Sequence, residues 1–145
     1  MSLIEDFLSS EDEDAIVTAI REAELKTSGE IRVHIETSSN ENHDTRAKEV
    51  FHFLKMDNTK LQNGVLIYLA VKDQSFVILG DKGINDVVPN NFWESTRNSM
   101  QTYFKNGEFT KGIITGILET GSQLATFFPW QHLDSNELSN EISKS

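Results

Sequence analysis

The chain has 145 residues, 37% hydrophobic and 25% charged, with no cysteine and a formal charge of −10 from 23 acidic and 13 basic residues. That is enough chain for one domain with a real core. The composition excludes disulfides, thiolate catalysis and cysteine-held metals, and it offers no basic face to a nucleic acid.

The opening "MSLIEDFLSSEDED" lacks the basic and apolar regions of a signal peptide. The longest apolar run, Val65–Val71, is far short of the roughly 20 residues that cross a bilayer. A cytoplasmic protein with no membrane insertion is the expectation.

In chain order, Ser10 and Glu13 fit a capping box at the head of a first helix. Ile16, Ala19, Ile20 and Ala23 then fall on one helical face, and the helix should end near Gly29. "EIRVHIE", Glu30–Glu36, alternates Ile31, Val33 and Ile35 against Arg32, His34 and Glu36, the pattern of a strand. A polar loop, Thr37–His43, leads to a second helix from Asp44 or Thr45 to about Lys55. "MDNTKLQNG" is a loop ending in the turn pair Asn63-Gly64. "VLIYLAV" reads as a central strand covered on both faces. Lys72–Gln74 turns into a hairpin partner, Ser75–Gly80.

A third helix is expected from Phe92 to Lys105, and a fourth from Phe109 to Phe128, stopped by Pro129. Gly112 and Gly116 on that last helix suit close packing on the sheet. The order predicts an α/β fold, an αβα sandwich with a small mixed three- to four-stranded sheet. Residues 1–131 form the domain, and 132–145 read as a polar, loose tail.

The stretches "AELKTSGEI", "NGVLIYLA" and "ILGDKGI", with the late "GIITGI" helix, together resemble the TPM domain family over roughly Ile16 to Phe128. The resemblance implies an αβα sandwich, divalent-metal binding and, as in plant thylakoid-lumen relatives, acid phosphatase activity. It transfers no catalytic motif residue by residue.

The expected topology brings three loops to one end of the sheet: 27–30, 57–63 and 81–91. Hard cations take about six to eight oxygens from carboxylates, amides, carbonyls and water. Asp81, Asp86, Asn85, Glu30, Asp57 and Asn63 are the candidate ligands, with Gly80 and Gly83 turning carbonyls inward. Calcium is the first choice of ion and magnesium the second. Glu41, His43 and Asp44 form another acidic loop, roughly 20 Å away at the far end of the first strand. His34 and His52 have no partner identifiable in the sequence, and His132 falls in the tail.

Three functions compete. The first is a metal-responsive module that presents a surface to a protein partner. The second is a metal-dependent phosphomonoesterase in which Asp81 and Asp86 hold the ion and Lys82 meets the phosphate, although the P-loop and G-x-S-x-G patterns are absent. The third is an interaction domain without a ligand.

Overall fold

A computed structural model describes residues 8–130 and 140–144. Helices α1 (Ser10–Glu24), α2 (His43–Phe53), short α3 (Lys82–Asn85), α4 (Glu94–Lys105) and α5 (Phe109–Leu124) surround strands β1 (Glu30–Glu36), β2 (Gly64–Ala70), β3 (Ser75–Gly80) and β4 (Ser143–Lys144). Of the tail, 131–139, including His132, lie outside the described residues, whereas Ser143–Lys144 form β4.

The sheet order is β3-β2-β1-β4. β1 runs parallel to β2 and β4, and β2 antiparallel to β3. The pairs Glu30↔Gly64 and Val65↔Gly80 set the start of β1, the start of β2 and the end of β3 side by side. The three loops converge as the sequence predicts.

One face of the sheet buries Ile31, Val33, Ile35, Val65, Ile67 and Leu69 under α1 and α5, together with Met100 of α4. On the other face α2 packs over β2 and β3, where Val50, Phe51 and Met56 meet Leu66 and Tyr68. β2 is buried at every position, as its apolar run requires.

Several local expectations are corrected. The capping box sits one residue earlier: Ser9 Oγ accepts from Asp12 N at 3.0 Å, and Asp12 accepts from Ser9 N at 3.2 Å. Either frame satisfies the spacing rule, and the observed one places Ile16 and Ile20 inward. The last helix ends at Leu124 rather than Phe128, because Thr27 Oγ1 and Ser28 N both bond the Phe128 carbonyl and draw the chain into a bridge, Thr27↔Pro129. Trp93 precedes α4 and is buried, its ring 4.7 Å from that of Phe92. Gly112 and Gly116 face α4 rather than the sheet: a Cβ there would meet Phe104 at 2.4 Å and Met100 at 2.4 Å.

Gly83 is glycine for a reason unlike the one its loop suggests. A Cβ on it would lie 2.3 Å from the Leu61 carbonyl oxygen and 2.5 Å from that of Gln62. These are backbone atoms that no rotamer change can move. Gly83→Ala should therefore cost about 1–3 kcal/mol, read from urea unfolding, with amide shifts centred on 59–64. A neutral Gly83→Ala would show that the two loops do not touch.

Candidate functional site

β1 alternates, but its polar face is not solvated. Glu30, His34 and Glu36 are 4%, 4% and 3% exposed, and Arg32 between them is half-buried. Four ionisable residues thus line one face of an inner strand, beside rather than beneath α2.

At the carboxyl end of this row Glu36 is fully engaged. Arg46 binds it in a fork, Nε to Oε2 at 2.9 Å and Nη2 to Oε1 at 2.9 Å. The Tyr68 hydroxyl also donates to Oε2, and His34 Nε2 lies 3.0 Å from Oε1. An ionised carboxylate only accepts, so Nε2 must carry the His34 proton. Nδ1 is then the acceptor for the Ser143 hydroxyl at 3.0 Å. Burial holds the His34 pKa below its usual value, against the pull of Glu36, which keeps the ring neutral. The Tyr68 phenol is raised by burial and then by Glu36, and Arg46 is raised by its bonds to Glu36.

At the amino end, Glu24 closes α1 and turns Oε2 to the Ile31 N–H at 3.0 Å. Burial lifts its pKa from 4.5 to about 7; the Ile31 amide opposes this and the Glu30 charge adds to it. Glu24 did not stand out in the sequence because it reads as one more polar residue of a helix terminus.

The six candidate ligands divide. Glu30 is buried, and its N–H donates to the Asn63 carbonyl at 3.2 Å. Asn63 is buried and its amide donates to Ser28 O at 3.2 Å. Asp81 caps α3 through Oδ1, which accepts from Lys82 N at 2.7 Å, while its Oδ2 is buried without a hydrogen-bond partner. Those three meet around Gly64: Glu30 pairs with it on β1, Asp81 N donates to its carbonyl at 2.9 Å, and Asn63 precedes it. Asn85 donates to Gly80 O at 3.0 Å, Asp86 is an exposed C-cap, and Asp57 is paired with His52 Nδ1 at 2.8 Å. Among the described residues, no three His, Asp or Glu side chains cluster closely enough to hold a metal ion.

The other acidic loop is hydrogen-bonded to itself and to the hairpin. Asp73 accepts from Ser38 Oγ at 2.9 Å and from Ser39 N at 2.9 Å, which holds its pKa low. Ser39 Oγ donates to the Glu41 carbonyl at 2.7 Å, and His43 Nδ1 lies 3.0 Å from Ser75 Oγ. With its proton given to a carbonyl and its neighbour Asp73 turned to amide and hydroxyl donors, Ser39 is a loop lock rather than an activated nucleophile.

A TPM domain model matches residues 4–123, and the chain belongs to the TPM domain family. It is similar to the NMR structure of BA42 protein from the psychrophilic bacterium Bizionia argentinensis, at 60% identity over 100% of both chains with a TM-score of 0.93. The fold is shared with the N-terminal domain of a protein from P. gingivalis (18% identity, 87% of this chain and 82% of that one, TM-score 0.71). It is shared too with the N-terminal domain of cg2496 from Corynebacterium glutamicum (13% identity, 95% and 80%, TM-score 0.63). None of the curated proteins compared matches the chain. Among the described residues no helix is long and apolar enough to cross a membrane.

Two predictions follow from the ends of the row. Folding raises the Glu24 pKa from 4.5 to about 7, so the folded chain holds this proton more tightly than the unfolded one. The associated stability is complete below pH 4.5 and is lost as pH rises through 7. Glu24→Gln keeps an acceptor for Ile31 and should flatten that loss. At pH 8 it should be more stable than the parent by about 1 kcal/mol, allowing for solvent screening of a half-buried group. An unchanged pH profile in thermal melts would refute the assignment. At the other end, Arg46→Ala strips two of four donors from a buried carboxylate and should cost about 2–3 kcal/mol. Most of that cost should vanish in a Glu36→Gln background, as a double-mutant cycle would measure.

Proposed function

We propose that this TPM domain is a divalent-cation-responsive binding module whose ion site lies where β1 and β2 begin and β3 ends. The observation that carries the reading is the gathering of desolvated carboxylates there. Glu30 is buried, Glu24 beside it is destabilised in its ionised form, and Asp81 keeps a buried oxygen with no donor. A buried carboxylate oxygen without a donor, such as Asp81 Oδ2, is costly, and a cation supplies the missing compensation directly.

The donors suit a hard ion. Glu30 and Asp81 would be its carboxylate ligands, with the Asn63 side-chain oxygen beside them. Because so few carboxylates gather, backbone carbonyls and water would complete the shell, a pattern that calcium and magnesium both accept. Asp57, Asn85 and Asp86 take supporting places in the loops rather than in the shell. An ion at this point would tie the 27–30 and 81–91 loops together across Gly64, and so set the shape of that end of the domain for a protein partner. Exposed apolar side chains stand around this end: Leu25 just before the first loop, Leu61 in 57–63 and Val87 in 81–91.

The test is a calcium and magnesium titration of chelator-treated protein by calorimetry and amide NMR. Saturable binding with shifts confined to 24–31, 59–64 and 80–86, weakened at least tenfold in Glu30→Gln and in Asp81→Asn, is the expected result. Absence of heat and shifts with either ion, or variants that bind as the parent does, would sink the reading.

A further inference from the structure

Without β4, β1 would be an edge strand. Its even-numbered residues bond to β2, as Glu30 N does to Asn63 O and Glu36 O to Val71 N, so its odd-numbered backbone groups point outward. Glu24 caps one of them, at Ile31. Farther along, the edge is met by a strand two residues long, paired His34↔Ser143 and Ile35↔Lys144. Such edges are open to strand addition unless they are closed.

That closure is shallow. None of residues 140–144 is fully buried. Open grooves of about 510 and 670 Å³ flank β4, one lined by α1 with Val17 and Ile142, the other by His34, Arg46 and Phe53 with Ser143. The segment nevertheless matches its groove residue by residue. Glu141 acts on Arg32 by charge, Ile142 packs against the core, Ser143 donates to His34, and Lys144 pairs with Glu13 on α1. Two features stay unused: Arg32 Nε is buried without a hydrogen-bond partner, and Phe53 on the groove wall is 81% exposed.

We propose that the outer edge of β1, between α1 and α2, is a docking groove for an extended peptide that adds parallel to β1, and that the chain's own 141–144 segment occupies this groove in cis. The peptide carries an acidic, an apolar, a hydroxyl and a basic residue in succession, with an apolar one two places further on to cover Phe53. The acidic group reaches Arg32 Nε, the apolar side chain fills the space of Ile142, and the hydroxyl supplies the proton that neutral His34 Nδ1 accepts. Main-chain bonds give affinity and the alternate side chains give selectivity. The cis segment lowers the apparent affinity by the fraction of time it holds the groove.

The experiment titrates the peptide Glu-Ile-Ser-Lys-Ser-Leu, and a scrambled version, into full-length protein and into full-length Ser143→Pro, which lacks the N–H at the centre of β4 and the hydroxyl that meets His34. Amide and side-chain NMR report on β1 and α1. The expected result is saturable shifts at Val33–Glu36 and Glu13, at least tenfold tighter in Ser143→Pro than in the parent, weakened by Arg32→Ala or Phe53→Ala, and absent with the scrambled peptide. If Ser143→Pro loses its folded spectrum, the milder Ser143→Ala/Lys144→Ala variant must show the same ordering. Equal affinity in parent and opened variants, equal response to the scrambled peptide, or no shifts in β1 would overturn the proposal.

Discussion

The structure depends on one constraint. β1 lies inside the sheet, yet one of its faces carries Glu30, Arg32, His34 and Glu36. An inner parallel strand is normally apolar on both sides, because an unpaired buried charge costs several kcal/mol. Much of what is peculiar to the domain answers that cost. Arg46 sits on the first half of α2 so that its fork meets Glu36. Tyr68 stands directly across from His34 with its ring stacked at 5.9 Å, and its hydroxyl completes the Glu36 shell. Ser143 supplies the fourth strand's contact with the ring nitrogen that Glu36 leaves as an acceptor.

The two ends of the row differ in how well they are settled. The Glu36 end is saturated: four donors meet one carboxylate, and burial favours the neutral form of His34 beside it. At the other end burial raises the Glu24 pKa to about 7 and an oxygen of Asp81 is unmet. The first arrangement builds a fixed frame, and the second leaves a place whose stability depends on pH. Strained or under-compensated groups of this kind concentrate at functional sites.

The sequence made the frame legible where periodicity is strong. The apolar face of α1, the alternation of β1, the continuous apolar run of β2 and the parallel–antiparallel order of the three long strands all follow from spacing alone. The convergence of the 27–30 and 81–91 loops came from topology. What was not legible rests on long-range pairing. Arg32, His34 and Glu36 read as a solvated face because the partners that permit their burial lie 10, 32 and 109 residues from their mates: Arg46 for Glu36, Tyr68 for Glu36, and Ser143 for His34. Helix α3 was hidden because Asp81 and Gly83 are turn formers; its place is set by the close approach of Gly83 to the Leu61 and Gln62 carbonyls. The sequence allows a fourth strand, but its place in the tail was not legible, since two residues of a polar segment carry no period.

The same long-range pairing bears on how the ends could communicate. Glu24 caps the outward amide of Ile31, and β4 meets the outward groups around His34 and Ile35. Both therefore act on a single backbone edge only a few residues long. A bound cation that draws on Glu30 and changes the charge on Glu24 would alter one end of that edge, while displacement of β4 would alter the other. β1 is held rigidly to β2 along its full length by seven paired residues, so a change at one end need not be carried by unfolding of the strand. The row of side chains is the other connection between the ends, and in it Arg32 lies between Glu30 and His34 with Nε buried and unmet. Arg32 is held at one end of that link by the charge of Glu141 in the segment that carries β4, and it stands two residues from Glu30 at the other.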